Sequence, residues 1–189
     1  MSVLDLRVLG DPVLRQETKP VAVMTDDLRR LIDDMFETMR LAKGIGLAAP
    51  QVGRPERIAV LDVGESDLGP LALVNPEIIE REGSVKGEEG CLSIPDIYGD
   101  VERSARVVVK ALDRDGNPVN FDTAGQPALL ARCFQHEIDH LFGKLFIDHL
   151  SVLKKRAALD EWSKLKDKYP GNIRRLADEP AAAHRHEEL

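Results

Sequence analysis

Apolar residues recur with two different periods along the chain, and the change of period separates helical from extended segments. In "TDDLRRLIDDMFETMRLAKG" they recur every three to four residues, which predicts an amphipathic helix that Thr25 caps and Gly44 ends. From about residue 57 to 123, the segments "RIAVLDV", "LALVNPEIIERE" and "SARVVVKALDRDGNPVNFDT" are rich in β-branched residues and contain turn formers, so we expect strands. The Asp115-Gly116 step predicts a hairpin turn within the last segment.

Two further helices are predicted in the last third of the chain. One begins near Gln126–Pro127, runs through "ALLARCFQHEIDHLF" and stops at Gly143. The other covers about residues 151–168, with Ser151 as its N-cap. No repeat or linker divides the chain, so residues 1–170 are predicted to form one catalytic domain of the α+β class. The short Ala/Glu/Arg-rich segment 171–189 is expected to be a flexible tail.

Composition narrows the classes of function. The chain has 189 residues, of which 43% are hydrophobic and 31% charged, and its net charge is −7. These values are typical of a globular protein and argue against a nucleic-acid binder, which needs a basic surface. No apolar run approaches the roughly 20 residues that cross a bilayer, and Asp5 and Arg7 interrupt the place of a signal peptide's apolar stretch. We therefore expect a cytoplasmic protein without membrane or sequence-specific nucleic-acid partners, in which Cys91 and Cys133 are thiols or metal ligands.

The stretch "QHEIDHLFG", residues 135–143, carries the candidate chemistry. His136 and His140 are four residues apart on a predicted helix, so both imidazoles project from one face and can bind one cation. Glu137 lies beside them, placed to take a proton from a metal-bound water. The alternative interpretation is a surface helix whose polar residues match this short pattern by chance.

Four residues compete for the role of third ligand. Phe146 occupies the place of the third histidine in one protease class and cannot ligate a metal. Glu161 is the candidate for a second protease class, although its neighbours give no independent support. Cys133 lies about 7 Å along the helix axis from a metal held between the histidines, beyond the roughly 5 Å that a cysteine and its bond span. Cys91, in "GEEGCLSIP", remains, and one thiolate with two imidazoles leaves a fourth position open for water, as in catalytic sites.

The candidate ligands by themselves leave two functions open. One is a zinc peptidase that uses Glu161 and cuts internal peptide bonds. The other is a non-catalytic metal-binding module, which would normally have four protein ligands rather than the three found here.

Three separated segments together resemble peptide deformylase. They are "GIGLAAPQ" (44–51), "EGCLS" (89–93) and "QHEIDH" (135–140), in that family's order and approximate spacing, and the resemblance extends from about Leu9 to Lys155. It implies antiparallel β-sheets packed around a central metal-binding helix, with an N-terminal and a C-terminal helix. It also implies removal of the N-formyl group from the N-terminal formylmethionine of new polypeptides, by attack of a metal-bound water on the formyl carbonyl.

The resemblance assigns roles to residues of this chain. It makes Cys91, His136 and His140 the metal ligands and Glu137 the general acid/base. Gln51 and the backbone N–H of Leu92 would hold the oxyanion. Substrate contacts would come from six residues: Ile45, Gly46, Gly90, Leu129, Leu130 and Cys133. The first three would border the peptide backbone, with Gly46 allowing its close approach, and the last three would line an apolar pocket for methionine.

The metal, the partners and two departures from the family pattern complete the expectations. A Cys-His-His set accepts several divalent metals; the resemblance favours Fe2+, with Zn2+ second and Ni2+ or Co2+ also compatible.

Arg132 stands where some relatives carry an apolar pocket residue, and Tyr98 falls near an expected arginine, so the way in which the substrate is anchored is open. The basic residues of the C-terminal helix form either a solvated face or a docking surface for the ribosome: Lys154, Lys155, Arg156, Lys164, Lys166 and Lys168.

Overall fold

A computed structural model of the protein describes residues 2–64 and 66–178. Within these residues the α-helices are α1 (Asp26–Leu41), α2 (Ala128–Leu141) and α3 (Val152–Leu165). The strands are β1 (Leu6–Arg7), β2 (Gly46–Ala48), β3 (Ile58–Leu61), β4 (Leu71–Glu82), β5 (Val85–Glu89), β6 (Gly99–Arg103), β7 (Arg106–Leu112), β8 (Pro118–Asp122) and β9 (Ile173–Arg174). In the described part of the chain, no helix combines the length and the apolar character needed to span a bilayer.

An antiparallel sheet in the order β2-β3-β4-β7-β8 is the main scaffold. β5 and β6 form a separate antiparallel pair, and so do β1 and β9. All four residues of β3 are buried because helices cover both faces of the sheet at this strand. Val60 belongs to the apolar cluster of α1, whereas Leu61 belongs to that of α2. The predicted α+β class, with antiparallel sheets around a central helix, is confirmed.

The helix boundaries follow local capping chemistry. Thr25 accepts the N–H of Leu28 at 3.3 Å, and Ser151 accepts that of Lys154 at 3.3 Å, so both predicted N-caps are confirmed. The predicted end of α1 at Gly44 is wrong, because the helix ends at Leu41 and Lys43 takes the left-handed conformation, with φ of 58°. Sequence patterns locate such ends poorly because helix termini fray and tighten over one turn.

The chain continues to pack beyond residue 170. β9 pairs with β1, with Leu6 opposite Arg174, and Leu176 is buried in the cluster beneath α1. The expectation of a flexible tail is therefore wrong for residues 173–176. A strand of two residues has no periodicity of its own and forms only because the backbone of β1 is available for pairing. Residues 179–189 of the expected tail lie outside the described residues.

Candidate metal centre

Two histidines of α2 and one cysteine converge at a buried position. The Nε2 atoms of His136 and His140 lie 3.2 Å apart, and Cys91 Sγ lies 3.3 Å from His140 Nε2. Cys91 sits in a turn after β5, where its carbonyl accepts the N–H of Ile94 at 2.8 Å. The helix thus supplies two ligands from one face, and the turn brings the third from 49 residues away.

These distances fit a divalent cation. A tetrahedral ion with bonds of about 2.0–2.1 Å to nitrogen places two such nitrogens about 3.3 Å apart. Among the described residues, Cys91, His136 and His140 are the group whose ligand atoms, all within 4.8 Å of one another, could hold a metal. Three protein ligands leave a coordination position for a substrate or a water molecule, which is typical of catalytic sites.

The competing ligands lie elsewhere. Glu161 is an exposed residue of α3, in a surface cavity that also contains Tyr98 and Lys154. Phe146 stacks on His136, with ring centroids 6.4 Å apart. The thiol of Cys133 is directed at the carbonyl oxygen of Ile45 at 3.5 Å, as expected of a residue that packs next to the site rather than binding the metal. The peptidase interpretation is therefore wrong, because its glutamate does not join the two histidines.

A buried carboxylate fixes the orientation of one candidate metal ligand. Glu89 Oε2 lies 3.0 Å from His136 Nδ1, which leaves His136 Nε2 for the metal. Burial by itself raises the pKa of Glu89, but hydrogen bonds with His136 and Arg103 outweigh it and hold this pKa well below the usual range. Glu89 is thus a permanent anion behind the ligand. Sequence reasoning assigned no role to Glu89, although it is the first residue of the quoted motif "EGCLS" (89–93).

The polar network continues from Glu89 to the surface. Arg103 binds Glu89 through two bonds of 2.8 and 3.0 Å, and its Nη1 also contacts Asp139 Oδ2 at 2.5 Å. Asp139 in turn bonds His149 Nε2 at 2.7 Å. Sequence reasoning missed these residues too, because each is an ordinary charged residue until the fold brings it to the next.

Glu137 lies between the two histidines in the sequence, directly after His136, and it is fully buried. Neither of its carboxylate oxygens has a hydrogen-bond partner among the described residues. Burial, and then the negative charge of Glu89, raise the pKa of Glu137 well above the usual range. A cation at the adjacent cluster opposes this effect, because a nearby positive charge favours the ionised carboxylate. A buried group of this kind is suited to accept and return a proton.

Gly46 makes room for this carboxylate. A Cβ atom built on Gly46 would lie 2.3 Å from Glu137 Oε1 and 2.7 Å from Cδ. The sequence predicts that Gly46 allows a peptide to approach; the structure adds that the glycine also accommodates Glu137. Only the tertiary structure brings these two residues together, so this second requirement could not be predicted from the motif.

Gln51 directs its side-chain amide nitrogen toward Cys91, at the candidate metal centre. Its Oε1 accepts the N–H of Ala48 at 2.7 Å, which directs Nε2 to within 3.6 Å of Cys91 Sγ and 3.2 Å of Ser93 Oγ. The side chain is completely buried and is held in this orientation by the backbone of β2. Leu92, whose N–H is the second candidate donor, follows Cys91 directly in the turn and is also buried.

The six candidate substrate residues fall into two groups. Ile45, Leu130 and Cys133 belong to one buried apolar cluster, whereas Leu129 is 39% exposed. Gly46 lies in β2, and Gly90 follows β5 beneath the ring of Tyr98. A Cβ atom on Gly90 would lie 2.7 Å from Tyr98 Cε1, so the tyrosine that departs from the family pattern packs directly on this glycine.

A cysteine sulfur and two imidazoles around one position, with a buried carboxylate beside them, are the features of a metal-dependent hydrolase built on antiparallel sheets around a central helix. Comparison with protein families matches residues 3–156 to the family described as Polypeptide deformylase. The chain belongs to this family, and its activity is the removal of the N-formyl group from the N-terminal formylmethionine of new polypeptides.

Individual relatives agree with the family assignment. The peptide deformylase of Alkalilimnicola ehrlichii is 53% identical over 166 residues, which cover 87% of this chain and 92% of the relative. The crystal structure of a peptide deformylase from Legionella pneumophila has a TM-score of 0.82 and 43% identity, covering 95% of this chain and 100% of that one. The peptide deformylase of Ehrlichia chaffeensis, solved in complex with actinonin, has a TM-score of 0.80 and 39% identity, covering 89% of this chain and 98% of that one.

Proposed function

We propose that Cys91, His136 and His140 bind the catalytic metal of this deformylase and that Glu137 transfers the proton during formamide hydrolysis. The observation that carries this proposal is the convergence of three ligand atoms within 4.8 Å of one another beside a buried carboxylate. A divalent cation in this position supplies Lewis acidity, which makes water a nucleophile at neutral pH and polarises the formyl oxygen.

The residues around the metal transfer the proton and stabilise the oxyanion. Glu137 accepts the proton from the attacking water and returns it to the departing amine. Gln51 Nε2 and the N–H of Leu92 stabilise the oxyanion, and removal of one such donor costs about 3–4 kcal/mol in the transition state. Gln51 suits this role because its amide is held in place before the substrate arrives, by the bond between its Oε1 and the N–H of Ala48.

The substrate binds as an extended peptide. β2 is an edge strand of the main sheet, so an added strand can pair along its outer side at Gly46; the N–H of Ala48 is already bonded to Gln51. Gly46 and Gly90 border that peptide, and Ile45, Leu130 and Cys133 surround the methionine side chain, with Leu129 at the exposed margin. Recognition through backbone suits an enzyme that processes many sequences. Actinonin, which the Ehrlichia chaffeensis relative binds, is expected to compete with the substrate here as well.

Paired variants test these roles. Glu137→Gln is expected to retain one equivalent of metal but to lose formate release from formyl-Met-Ala-Ser, because the amide cannot carry the proton. Glu161→Gln is the matched control and keeps normal activity, since Glu161 is an exposed residue away from the ligands. Cys91→Ser is expected to lose the metal, whereas Cys133→Ser retains it. Normal formate release by Glu137→Gln would refute the proposed proton transfer.

We propose Fe2+ as the physiological metal, with Zn2+, Ni2+ and Co2+ as ions that the same ligands accept. Protein purified without oxygen is expected to contain iron and to lose activity on exposure to air. Reconstitution with Co2+ or Ni2+ is expected to give activity that air does not remove. Stoichiometric zinc in anaerobically purified, fully active protein would refute the assignment to iron.

We propose that the enzyme works in the cytoplasm and that the basic residues of α3 bring it to the ribosome. Lys154 and Lys155 already pair with Asp100 at 3.2 Å and Asp148 at 2.7 Å. Docking therefore depends on exposed basic residues outside these ion pairs, such as Arg156 and Lys164. Cell fractionation tests the location, where recovery with membranes would refute it.

Ribosome cosedimentation at increasing salt tests the docking surface. Neutralising Arg156 and Lys164 to Gln is expected to weaken binding and reduce its salt dependence, because each lost phosphate contact lowers the salt slope by roughly one. Neutralising Arg30 and Arg40 of α1 is the matched control. Equal binding by both double variants would refute docking through α3.

A further inference from the structure

Arg132 is a buried arginine of α2, one helical turn before the metal ligand His136. Its Nη1 donates to Glu89 Oε1 at 2.8 Å and to the carbonyl oxygen of Val101 at 3.0 Å. Its Nη2 donates to the carbonyl oxygen of Val85 at 3.0 Å. The guanidinium therefore joins the helix that carries two metal ligands to both strands of the β5-β6 pair.

Gly87 provides the space for this guanidinium. A Cβ atom on Gly87 would lie 2.9 Å from Arg132 Nη2 and 3.1 Å from Cζ. Atoms of real Cβ groups rarely approach so closely, so any larger residue at position 87 must displace the arginine. The two residues form a matched pair in this chain, and the pairing is visible only in the tertiary structure.

Glu89 connects the Arg132–Gly87 pair to the proposed metal ligand His136. Glu89 Oε1 accepts from Arg132 and from Arg103 Nε, each at 2.8 Å. Glu89 Oε2 contacts Arg103 Nη2 and His136 Nδ1, each at 3.0 Å. Arg132 thus adds a second donor to the oxygen that does not touch the histidine, and together with the two bonds of Arg103 it opposes rotation of the carboxylate.

We propose that Arg132, seated against Gly87, is a positioning residue for the metal centre: together with Arg103 it fixes the orientation of Glu89 and thereby the ring of His136. This inference rests on the ligand set proposed above. Groups behind metal-binding histidines change metal affinity by 10–100-fold when they are removed. Because Arg103 still neutralises Glu89 after Arg132 is replaced, the expected loss lies at the lower end of this range.

Metal affinity and ligand geometry provide readouts that a structural role alone would not change. Arg132→Met is expected to bind Zn2+ about tenfold more weakly in competition with a chelator. The visible spectrum of its Co2+ derivative is expected to differ from that of the wild type. Arg81→Met is the matched control, since Arg81 bonds Gln135 on the same helix at 3.1 Å and has no bond to Glu89. Both readouts should be unchanged in that control.

Kinetics separate positioning from a role in the methionine pocket. If Arg132 acts through His136, Arg132→Met lowers kcat for formyl-Met-Ala-Ser at saturating metal and leaves KM unchanged. If Arg132 lines the methionine pocket instead, the variant raises KM, and the proposal is overturned. Arg132→Lys is expected to recover only part of the affinity, because an ammonium group cannot make the three bonds of the planar fork.

Gly87→Ala displaces the guanidinium without removing its charge, and it tests the inference even if Arg132→Met does not fold. It is expected to weaken Zn2+ binding as well, and the double variant Gly87→Ala/Arg132→Met should be no weaker than Arg132→Met alone. Additive losses, or unchanged affinity and Co2+ spectrum in both single variants, would overturn the role of Arg132. Failure of the wild-type protein to bind one equivalent of Zn2+ or Co2+ would instead refute the ligand set itself.

Discussion

Replacing Gly46 with alanine distinguishes the two roles that this glycine can have. The new Cβ would lie 2.3 Å from Glu137 Oε1, whereas ordinary contacts begin at 3.4 Å. The carboxylate must therefore move by roughly 1 Å, since the glycine belongs to a paired strand whose backbone is held by β3. A displacement of this size at a reacting group can lower the rate about 10²-fold, which corresponds to about 2.7 kcal/mol in the activation free energy.

Steady-state formate release from formyl-Met-Ala-Ser measures the effect. We expect kcat to fall about 10²-fold while KM stays within about twofold, the pattern of an interaction that matters only in the transition state. Metal content should remain one equivalent, because the three atoms nearest to the new Cβ all belong to Glu137. Gly64→Ala is the matched control, since a Cβ at Gly64 meets nothing within 4 Å.

The opposite kinetic pattern would refute this reasoning. A raised KM with unchanged kcat would mean that Gly46 serves the approach of the peptide backbone and that Glu137 tolerates the methyl group. Unchanged kcat and KM would remove Gly46 from both roles.

Three further predictions concern the surroundings of the site. Gln51→Leu is expected to lower kcat by about 10²–10³-fold with the metal retained, because an oxyanion donor is lost; a normal kcat would exclude the amide from catalysis. Glu89→Gln is expected to weaken Zn2+ binding by about 10–100-fold in chelator competition, since a neutral amide orients the histidine less firmly, and equal affinity would contradict this. Burial raises the pKa of Asp148, but hydrogen bonds with Arg15 and Lys155 outweigh it and lower this pKa to about 2. A depressed pKa in the folded protein stabilises it above the ordinary value of 3.8, and this contribution is lost as the pH falls toward 2. Asp148→Asn should therefore lower the free energy of unfolding by about 1 kcal/mol at pH 7 in metal-free protein, and urea unfolding near pH 2.5 should show a smaller difference.

Sequence alone determined the features that depend on near neighbours. The period of α1 and α2, the caps at Thr25 and Ser151, and the hairpin turn all follow from residues within a few positions of one another. Gly116 has φ of 90° in that turn, as the Asp-Gly step predicts. The pairing of His136 with His140 is of the same kind, because one turn of helix places both imidazoles on one face.

The choice of Cys91 over Cys133 came partly from sequence as well. The reach of a side chain along a helix excluded Cys133, and that exclusion needed no tertiary structure. What the sequence could not supply was the position of Cys91 relative to the histidines, which depends on how β5 and its following turn pack against α2.

Tertiary structure decided every contact between residues that are distant in the chain. Glu89 behind His136, Gly46 against Glu137, Gly87 against Arg132 and β9 beside β1 each join segments whose own patterns contain no sign of the partner. The physical reason is that a local pattern fixes backbone geometry over a few residues, whereas these contacts depend on how whole elements pack. For this protein, local periodicity determined the helix that presents His136 and His140, whereas tertiary packing determined which cysteine, carboxylates, arginines and glycines surround them, because those contacts join elements that are far apart in the chain.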